Sequence, residues 1–429
     1  MKCQSSVIQR RAEEIFVVLS LLFYTGALIH HLPIDHPLAR LVPILPFVIQ
    51  TVTLFLIIAR WKKVVRIVIR EKLLWVLMSI ALASVFYGDT PMLTLYRTSD
   101  IITDGAVGVL PLVQATLFGV YFGTRYSLNQ QLHLLVWTFG ISALLSLLLG
   151  LAFPRYGVMG VDNIKSLEDL AHIGAWEGVY EHKNKLGIYI DLSALVFFLC
   201  TTFSPKYPWV RWAGFSLSIG LILLSTSKSA LVIFLTMMVL LPFYRALRWS
   251  YSLAVPFFIS AIVLAGGVGT LLVANAETIL AALGRDATLT GRTGIWSAVL
   301  DKIWERPWLG YGYQVFWQGW YGESADVWSS LRFDPPHAHD GFLDLWLDLG
   351  LLGLSVFALS FIAGYLRAVA WVRLTKNLEG LWPLVYLTFM LLINITESSL
   401  MRENALWVLY VAVTLSMYNK TELAYSTPK

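Results

Sequence analysis

The sequence predicts an all-α polytopic membrane protein of about twelve transmembrane helices, with one large extramembrane loop between the ninth and the tenth. Three observations predict it. The chain of 429 residues is 57% hydrophobic and 14% charged, which leaves too little polar surface to cover a water-soluble globule. Apolar runs of about 20 residues, the helix length that crosses a hydrocarbon core about 30 Å thick, recur from end to end. Alternating strand patterns of about ten residues do not occur, which favours a helical bundle over a barrel.

The first apolar run, 14–30, follows MKCQSSVIQRRAEE and lacks a small-residue cleavage site after it, so it reads as a retained first helix. The others read at 39–59, 72–88, 101–122, 132–153, 186–204, 210–225, 229–246, 252–275, 341–366, 380–397 and 404–419, each bounded by charged or Pro/Gly breaks. The chain thus divides into 1–275 with nine helices, a loop over 276–340, and 341–429 with three helices and a cytoplasmic tail. Short loops set the orientation. With the N-terminus inside, most of the 32 lysines and arginines fall on the inner face, and Arg60 to Lys72 (RWKKVVRIVIREK) makes the assignment hard to reverse. Both termini are then cytoplasmic, and the net charge of +5 reflects orientation and implies no nucleic-acid partner. Cys3 and Cys200 both fall inside, which supports neither a disulfide framework nor a cysteine metal site.

The outer basic residues are the unusual ones, because a cation kept outside against the orientation rule is a candidate for function. They lie in 94–100 (Arg97), 153–185, 225–229 (Lys228) and the loop from Ala276, with Arg40 and Arg402 more isolated. Even-numbered helices enter from outside, so their positive dipole ends point outward. Four of these entries carry polar clusters: YRTSD (Tyr96 to Asp100), EGVYEHKNKLG (Glu177 to Gly187), STSKS (Ser225 to Ser229) and PPHAHDG (Pro335 to Gly341). Unpaired backbone N–H groups beside a cation make an anion site, and several converging ones suit a diphosphate. For any single cation, snorkelling to lipid phosphates is the simpler reading.

In the long loop, RTGIWSAVLDKIWERP places Ile295, Trp296, Val299, Leu300, Ile303 and Trp304 on one stripe of an amphipathic helix stopped by Pro307. Arg292 stands at its start and Arg285 seven residues earlier. They either clamp phosphate oxygens bidentately or belong to a lid helix that touches lipid headgroups. His337 and His339 precede the tenth helix, with Asp340 as a cap and Asp344 and Asp348 at i+4 steps. A neutral imidazole can take a hydroxyl proton near neutral pH. HxH is a weak metal pattern without a third ligand, and on spacing alone plain helix capping suffices.

EGVYEHKNKLG, LSTSKSAL, LGRDATLTGRTGIW with PWLGYG, and HAHDGFLDLWLDLGLLGL, in that order, resemble the O-antigen ligase and O-antigen polymerase superfamily, closest to its exopolysaccharide-polymerase branch. The resemblance covers Glu177 to Leu354, and the first half only through hydropathy. It implies a GT-C-like glycosyltransferase with a large periplasmic loop, in a bacterial inner membrane. The implied reaction is inverting transfer from an undecaprenyl-diphosphate-linked glycan to a glycan or lipid-linked acceptor, with neither metal nor cofactor. Chain-length or export proteins are the implied partners besides the bilayer. Position by position, it makes His339 the base and Arg292 and Lys228 the diphosphate-binding cations. Arg285, His337, Tyr180, His182, Lys183, Asn184 and Arg97 then line the substrate site, with Glu177 a reserve base. Lys228 stands where arginine is usual in the ligases, keeping charge but losing the bidentate fork. Asp340 stands where asparagine is usual; ionised, it would raise the pKa of His339. The expected activity is polymerisation of repeat units, the alternative is ligation of a finished glycan, and a lipid-linked oligosaccharide flippase would instead need ionisable groups at mid-membrane.

Overall fold

The computed structural model describes residues 2–27, 39–88, 90–98, 106–160, 170, 172–200, 208–249, 252–253, 256–257, 292–331 and 334–418, and for a few of these, Arg97 among them, the backbone alone. Helices α1 (Lys2–Thr25), α2 (Leu45–Ile58), α3 (Trp61–Val68), α4 (Lys72–Tyr87) and α5 (Pro91–Leu95) lead to a ribbon of β1 (Arg97–Thr98) and β2 (Ala106–Val107). Then follow α6 (Val109–Arg125), α7 (Leu128–Ala152), α8 (Pro154–Gly157), α9 (Lys183–Leu199), α10 (Trp209–Leu224) and α11 (Lys228–Ala246). The later part holds α12 (Arg292–Glu305), α13 (Ser324–Ser330), α14 (Gly341–Leu374), α15 (Trp382–Ile393) and α16 (Ala405–Ser416).

Among the described residues, α7, α11 and α14 are each long and apolar enough to cross a membrane. The α2–α3 pair, bent by 94°, makes a fourth if taken as one span. Shorter apolar helices are α4, α10, α15 with its leading turn, and α16. Large apolar side chains such as Phe86, Leu151 and Leu366 face outward, as in a helical bundle solvated by lipid. The chain is a multi-pass membrane protein. The ninth run, 252–275, and the loop start with Arg285 fall outside the described residues, apart from 252–253 and 256–257. Two features depart from the expected spans. The fourth run becomes helical only at Val109, because the β-ribbon precedes it. And α16 is a 12-residue helix, about 18 Å long at 1.5 Å per residue, shorter than a full crossing.

That short helix is the centre of the molecule, buried along its whole length. It packs against α6, where Gly119 and Gly123 let the backbones touch: a Cβ on Gly123 would lie 2.6 Å from the Ala412 carbonyl oxygen. Two polar contacts link α16 to its neighbours, Trp407 Nε1 donating to Thr116 Oγ1 at 2.8 Å and Gln131 Nε2 donating to Ser416 Oγ at 2.6 Å. A buried acid lies elsewhere in the bundle. Asp191, in the middle of α9, is fully buried and its carboxyl oxygens have no hydrogen-bond partner among the described residues.

Helix α14 is broken at Gly350, whose φ of +65° lies in the left-handed region. The segment PWLGYG fills the break. Leu351 N–H donates to Pro307 O at 2.8 Å, Leu352 N–H to Trp308 O at 3.2 Å, and Tyr311 N–H to Leu347 O at 2.8 Å. The amphipathic helix α12 ends two residues before Pro307, so this insertion ties its end to the first part of α14, before the break at Gly350. Of its expected stripe, Ile295, Val299 and Ile303 are buried, while Trp304 is 67% exposed.

Candidate active site

The site is built around the turn that precedes α14. Asp340 caps the helix, accepting from Phe342 N–H at 2.8 Å and Leu343 N–H at 2.9 Å. His339 has a φ of +51°, a left-handed conformation uncommon for a residue with a side chain. The surroundings hold it there. Three indole N–H groups grip the turn: Trp296 on Ala338 O at 3.0 Å, Trp328 on Pro335 O at 2.9 Å, and Trp317 on Asp344 Oδ1 at 2.7 Å. Asp344 also accepts from Ala338 N–H at 3.2 Å. Arg402, isolated in the sequence, sits 3.8 Å from Asp344 and 3.7 Å from Asp348 and so locks the first turns of α14 to the segment before α16.

The imidazole rings of His337 and His339 lie 4.1 Å apart. His337 Nδ1 accepts the His339 backbone N–H at 3.1 Å, so a neutral His337 carries its proton on Nε2 and offers a donor. His339 Nδ1 is shielded from solvent, has no hydrogen-bond partner among the described residues, and lies 3.9 Å from Glu397 Oε2. Burial, then the charges of neighbouring cations, pushes His337 down to about 3. Burial, then His337 and Arg292, pushes His339 down to about 2, so both rings are neutral at neutral pH. The acidic neighbour pulling His339 upward is Asp344; Asp340, expected in that role, commits its carboxylate to the cap.

Glu397 comes from the turn after α15, in a run that hydropathy assigns to the eleventh span. Its backbone N–H donates to Ile393 O at 2.8 Å. Its Oε1 accepts from Asn184 Nδ2 at 3.1 Å, and Asn184 Oδ1 in turn accepts from Ser227 Oγ at 3.1 Å. A close approach allows this: at Gly187 a Cβ would lie 2.7 Å from Ala230 Cβ, bringing the starts of α9 and α11 together. Burial raises Glu397 to about 7 against the pull of Arg292 and Lys185. Three of the four polar entries thus meet.

Of the residues singled out in the sequence, His337, His339, Arg292, His182 and Asn184 come together. Arg292 is the first residue of α12, close enough to act on His337, His339, Asp340 and Glu397. His182 caps α9, its Nδ1 accepting Asn184 N–H at 3.2 Å, and it also acts on both histidines. Lys183 is buried in the first turn of α9. Lys228 is exposed beside Ser227 and is not among the charges felt most strongly by the histidines or Glu397. Glu177 is buried beneath the turn into α9, its N–H donating to Gly157 O at 3.0 Å. Tyr180 lies in the hydrophobic core, stacked 5.1 Å from Tyr189. The side chains of Arg97 and Arg285 lie outside the described residues. Glu397 is the residue that sequence reasoning missed, and Arg402, noted there only as an isolated cation, was not assigned to the site. The signal for Glu397 was a polar NITESS at the end of an apolar run.

His337, His339 and Glu397 also bring three ligand atoms within 4.8 Å, the one such trio among the described residues. The donor set fits a cation poorly. His337 has one nitrogen committed to a backbone N–H, which leaves its proton on the other, and Arg292 and Lys185 add positive charge beside Glu397.

Residues 213–358 match the family model described as O-antigen ligase. The exopolysaccharide production protein ExoQ of Rhizobium meliloti (strain 1021) is 28% identical over 199 residues, 44% of this chain and 45% of that protein. The alignment therefore spans less than half of the relative. The two matches show a stretch similar to the O-antigen ligase family within residues 213–358 and a partial similarity to an exopolysaccharide production protein. The family match includes Lys228, Arg292, His337 and His339, while Asn184 and Glu397 lie outside it.

Proposed function

We propose that the chain is a membrane glycosyltransferase that polymerises repeat units of a surface or exopolysaccharide. It transfers an undecaprenyl-diphosphate-linked glycan to a glycan hydroxyl at the periplasmic face of a bacterial inner membrane. The observation that carries this reading is the meeting of a neutral histidine, His339, with a guanidinium on a helix N-terminus, Arg292. That pair is what glycosyl transfer from a diphosphate needs. The leaving diphosphate gathers negative charge as the anomeric C–O bond breaks, and a fixed cation with a helix dipole stabilises it. His339 takes the acceptor proton through Nε2. Diphosphate seated against Arg292 cancels part of the positive field that depresses His339 and so raises its proton affinity at the moment it is needed. His337, with its proton on Nε2, donates to the same anion. Lys228 supplies further positive charge beside Ser227, Arg285 is assigned to substrate binding from the sequence alone, and the reaction requires no metal.

The relative's name, exopolysaccharide production protein, supports a surface or exopolysaccharide as the product. Reconstitution with a defined undecaprenyl-diphosphate oligosaccharide tests the reading. A ladder of products is expected; a single capped product in the presence of a lipid or core acceptor would make the chain a ligase, and no transfer at all would remove the enzyme reading.

A further inference from the structure

We propose that Glu397 is the positioning residue of His339: its Oε2 receives the Nδ1 proton of the imidazole, leaving Nε2 as the free lone pair that faces the acceptor hydroxyl. This deepens the reading above and rests on His339 being the base. Four observations support it. His339 Nδ1 is a buried polar atom with no hydrogen-bond partner among the described residues, and Glu397 Oε2 is 3.9 Å away, within reach of a small ring movement. The ring cannot easily search for another partner, because its backbone sits at φ +51° in a turn gripped by three indoles. Glu397 is itself held, by Asn184 on Oε1 and by its own N–H on Ile393 O, so Oε2 is presented in one direction. The neighbouring carboxylates have other commitments: Asp340 caps α14, and Asp344 serves Ala338, Trp317 and Arg402.

The bonding balances. The acceptor oxygen forms a bond to the anomeric carbon while the carbon–oxygen bond to the diphosphate breaks, its electron pair leaving on undecaprenyl diphosphate. The acceptor proton moves to His339 Nε2, and the resulting imidazolium is paired with the Glu397 carboxylate through Nδ1–H. Release of that proton to water restores the neutral ring. Besides His339, the charged groups facing Glu397 are Arg292 from α12 and Lys185 from α9, the latter also paired with Glu181. Facing His339 are His337, Arg292, Asp344 and His182. Glu397 is raised to about 7 by burial, so turnover is expected to climb as pH rises through that value and the carboxylate forms, with an apparent pKa that belongs to the pair.

The test compares E397Q, E397D, H339A and the double variant H339A/E397Q, purified and reconstituted with an undecaprenyl-diphosphate oligosaccharide. E397Q is expected to lower kcat by about a hundredfold or more with donor KM changed by less than about threefold. E397D is expected to recover part of the loss, and the ascending limb near pH 7 disappears in E397Q. The double variant is expected to be no slower than H339A alone, because the two act as a unit. Turnover of E397Q within about threefold of the parent, an unchanged pH limb, or a double variant slowed by the product of the single effects overturns the proposal while leaving His339 as base. Turnover retained by H339A removes the underlying reading instead. Should E397Q fail to fold, the pH limb of E397D decides, since a shifted limb supports the role and an unchanged one refutes it.

Discussion

Asp344 offers the sharpest test of how the turn bearing His339 is held. Its Oδ1 accepts Trp317 Nε1–H at 2.7 Å and Ala338 N–H at 3.2 Å, and Oδ2 faces Arg402 at 3.8 Å. In D344N the amide keeps one acceptor oxygen but loses the charge and turns an NH2 toward a guanidinium. Hydrogen bonds to a charged acceptor contribute about 1.5–3 kcal/mol and neutral ones about 0.5–1.5, so two weakened bonds cost about 2–3 kcal/mol. Arg402 keeps Asp348 at 3.7 Å, which limits the damage to the ion cluster. If that energy comes out of the population in which His339 is correctly set, turnover falls by about thirtyfold or more, at tenfold per 1.4 kcal/mol. The assay is kcat for transfer from the lipid-diphosphate oligosaccharide, beside donor binding by the same preparation. A D344N variant that keeps kcat within about twofold would refute the idea that this carboxylate sets the turn.

Other substitutions probe separate parts of the structure. W296F removes the indole N–H from Ala338 O while keeping an aromatic ring on α12, and should cost about 1 kcal/mol or roughly fivefold in kcat; an unchanged rate detaches that helix from the turn. R292A should raise donor KM and lower kcat together, with R292K recovering charge but only part of the rate, whereas an effect confined to acceptor KM argues against a diphosphate contact. G350A should abolish accumulation of folded protein in the membrane, because a Cβ there would lie 2.2 Å from the Trp308 carbonyl group; normal expression contradicts the described break in α14. Replacing the buried acid by an apolar group in D191L should leave transfer intact and raise thermal stability by about 1–3 kcal/mol, because its carboxyl oxygens have no hydrogen-bond partner among the described residues. Loss of lipid-linked glycan movement in that variant with transfer intact would instead favour a transport role.

Hydropathy located most of the helical segments, since long apolar runs leave the chain little choice in lipid. Local chemistry found the ends. Asp340 as a cap and the stop of α12 before Pro307 follow from rules that operate over three or four residues. What escaped were contacts between segments far apart in the chain. Asn184 and Glu397 meet across 213 positions, and no periodicity reports that. Glu397 was hidden inside an apolar run whose helix ends at Ile393. Arg402 looked isolated because its partners, Asp344 and Asp348, belong to another helix. Trp296 read as one more apolar residue of the α12 stripe, because the stripe on a helix does not reveal which indole N–H finds a carbonyl. Tyr180 sat within a polar motif, yet the turn into α9 directs its ring into the core, against Tyr189.

The central claim is that His339 removes the proton of the acceptor hydroxyl. The direct measurement is single-turnover transfer by purified H339A, reconstituted with undecaprenyl-diphosphate oligosaccharide and shown to bind it. The account predicts donor binding close to that of the parent with no product formed over many parental turnover times. Product formed by H339A at a rate near the parent's would contradict it.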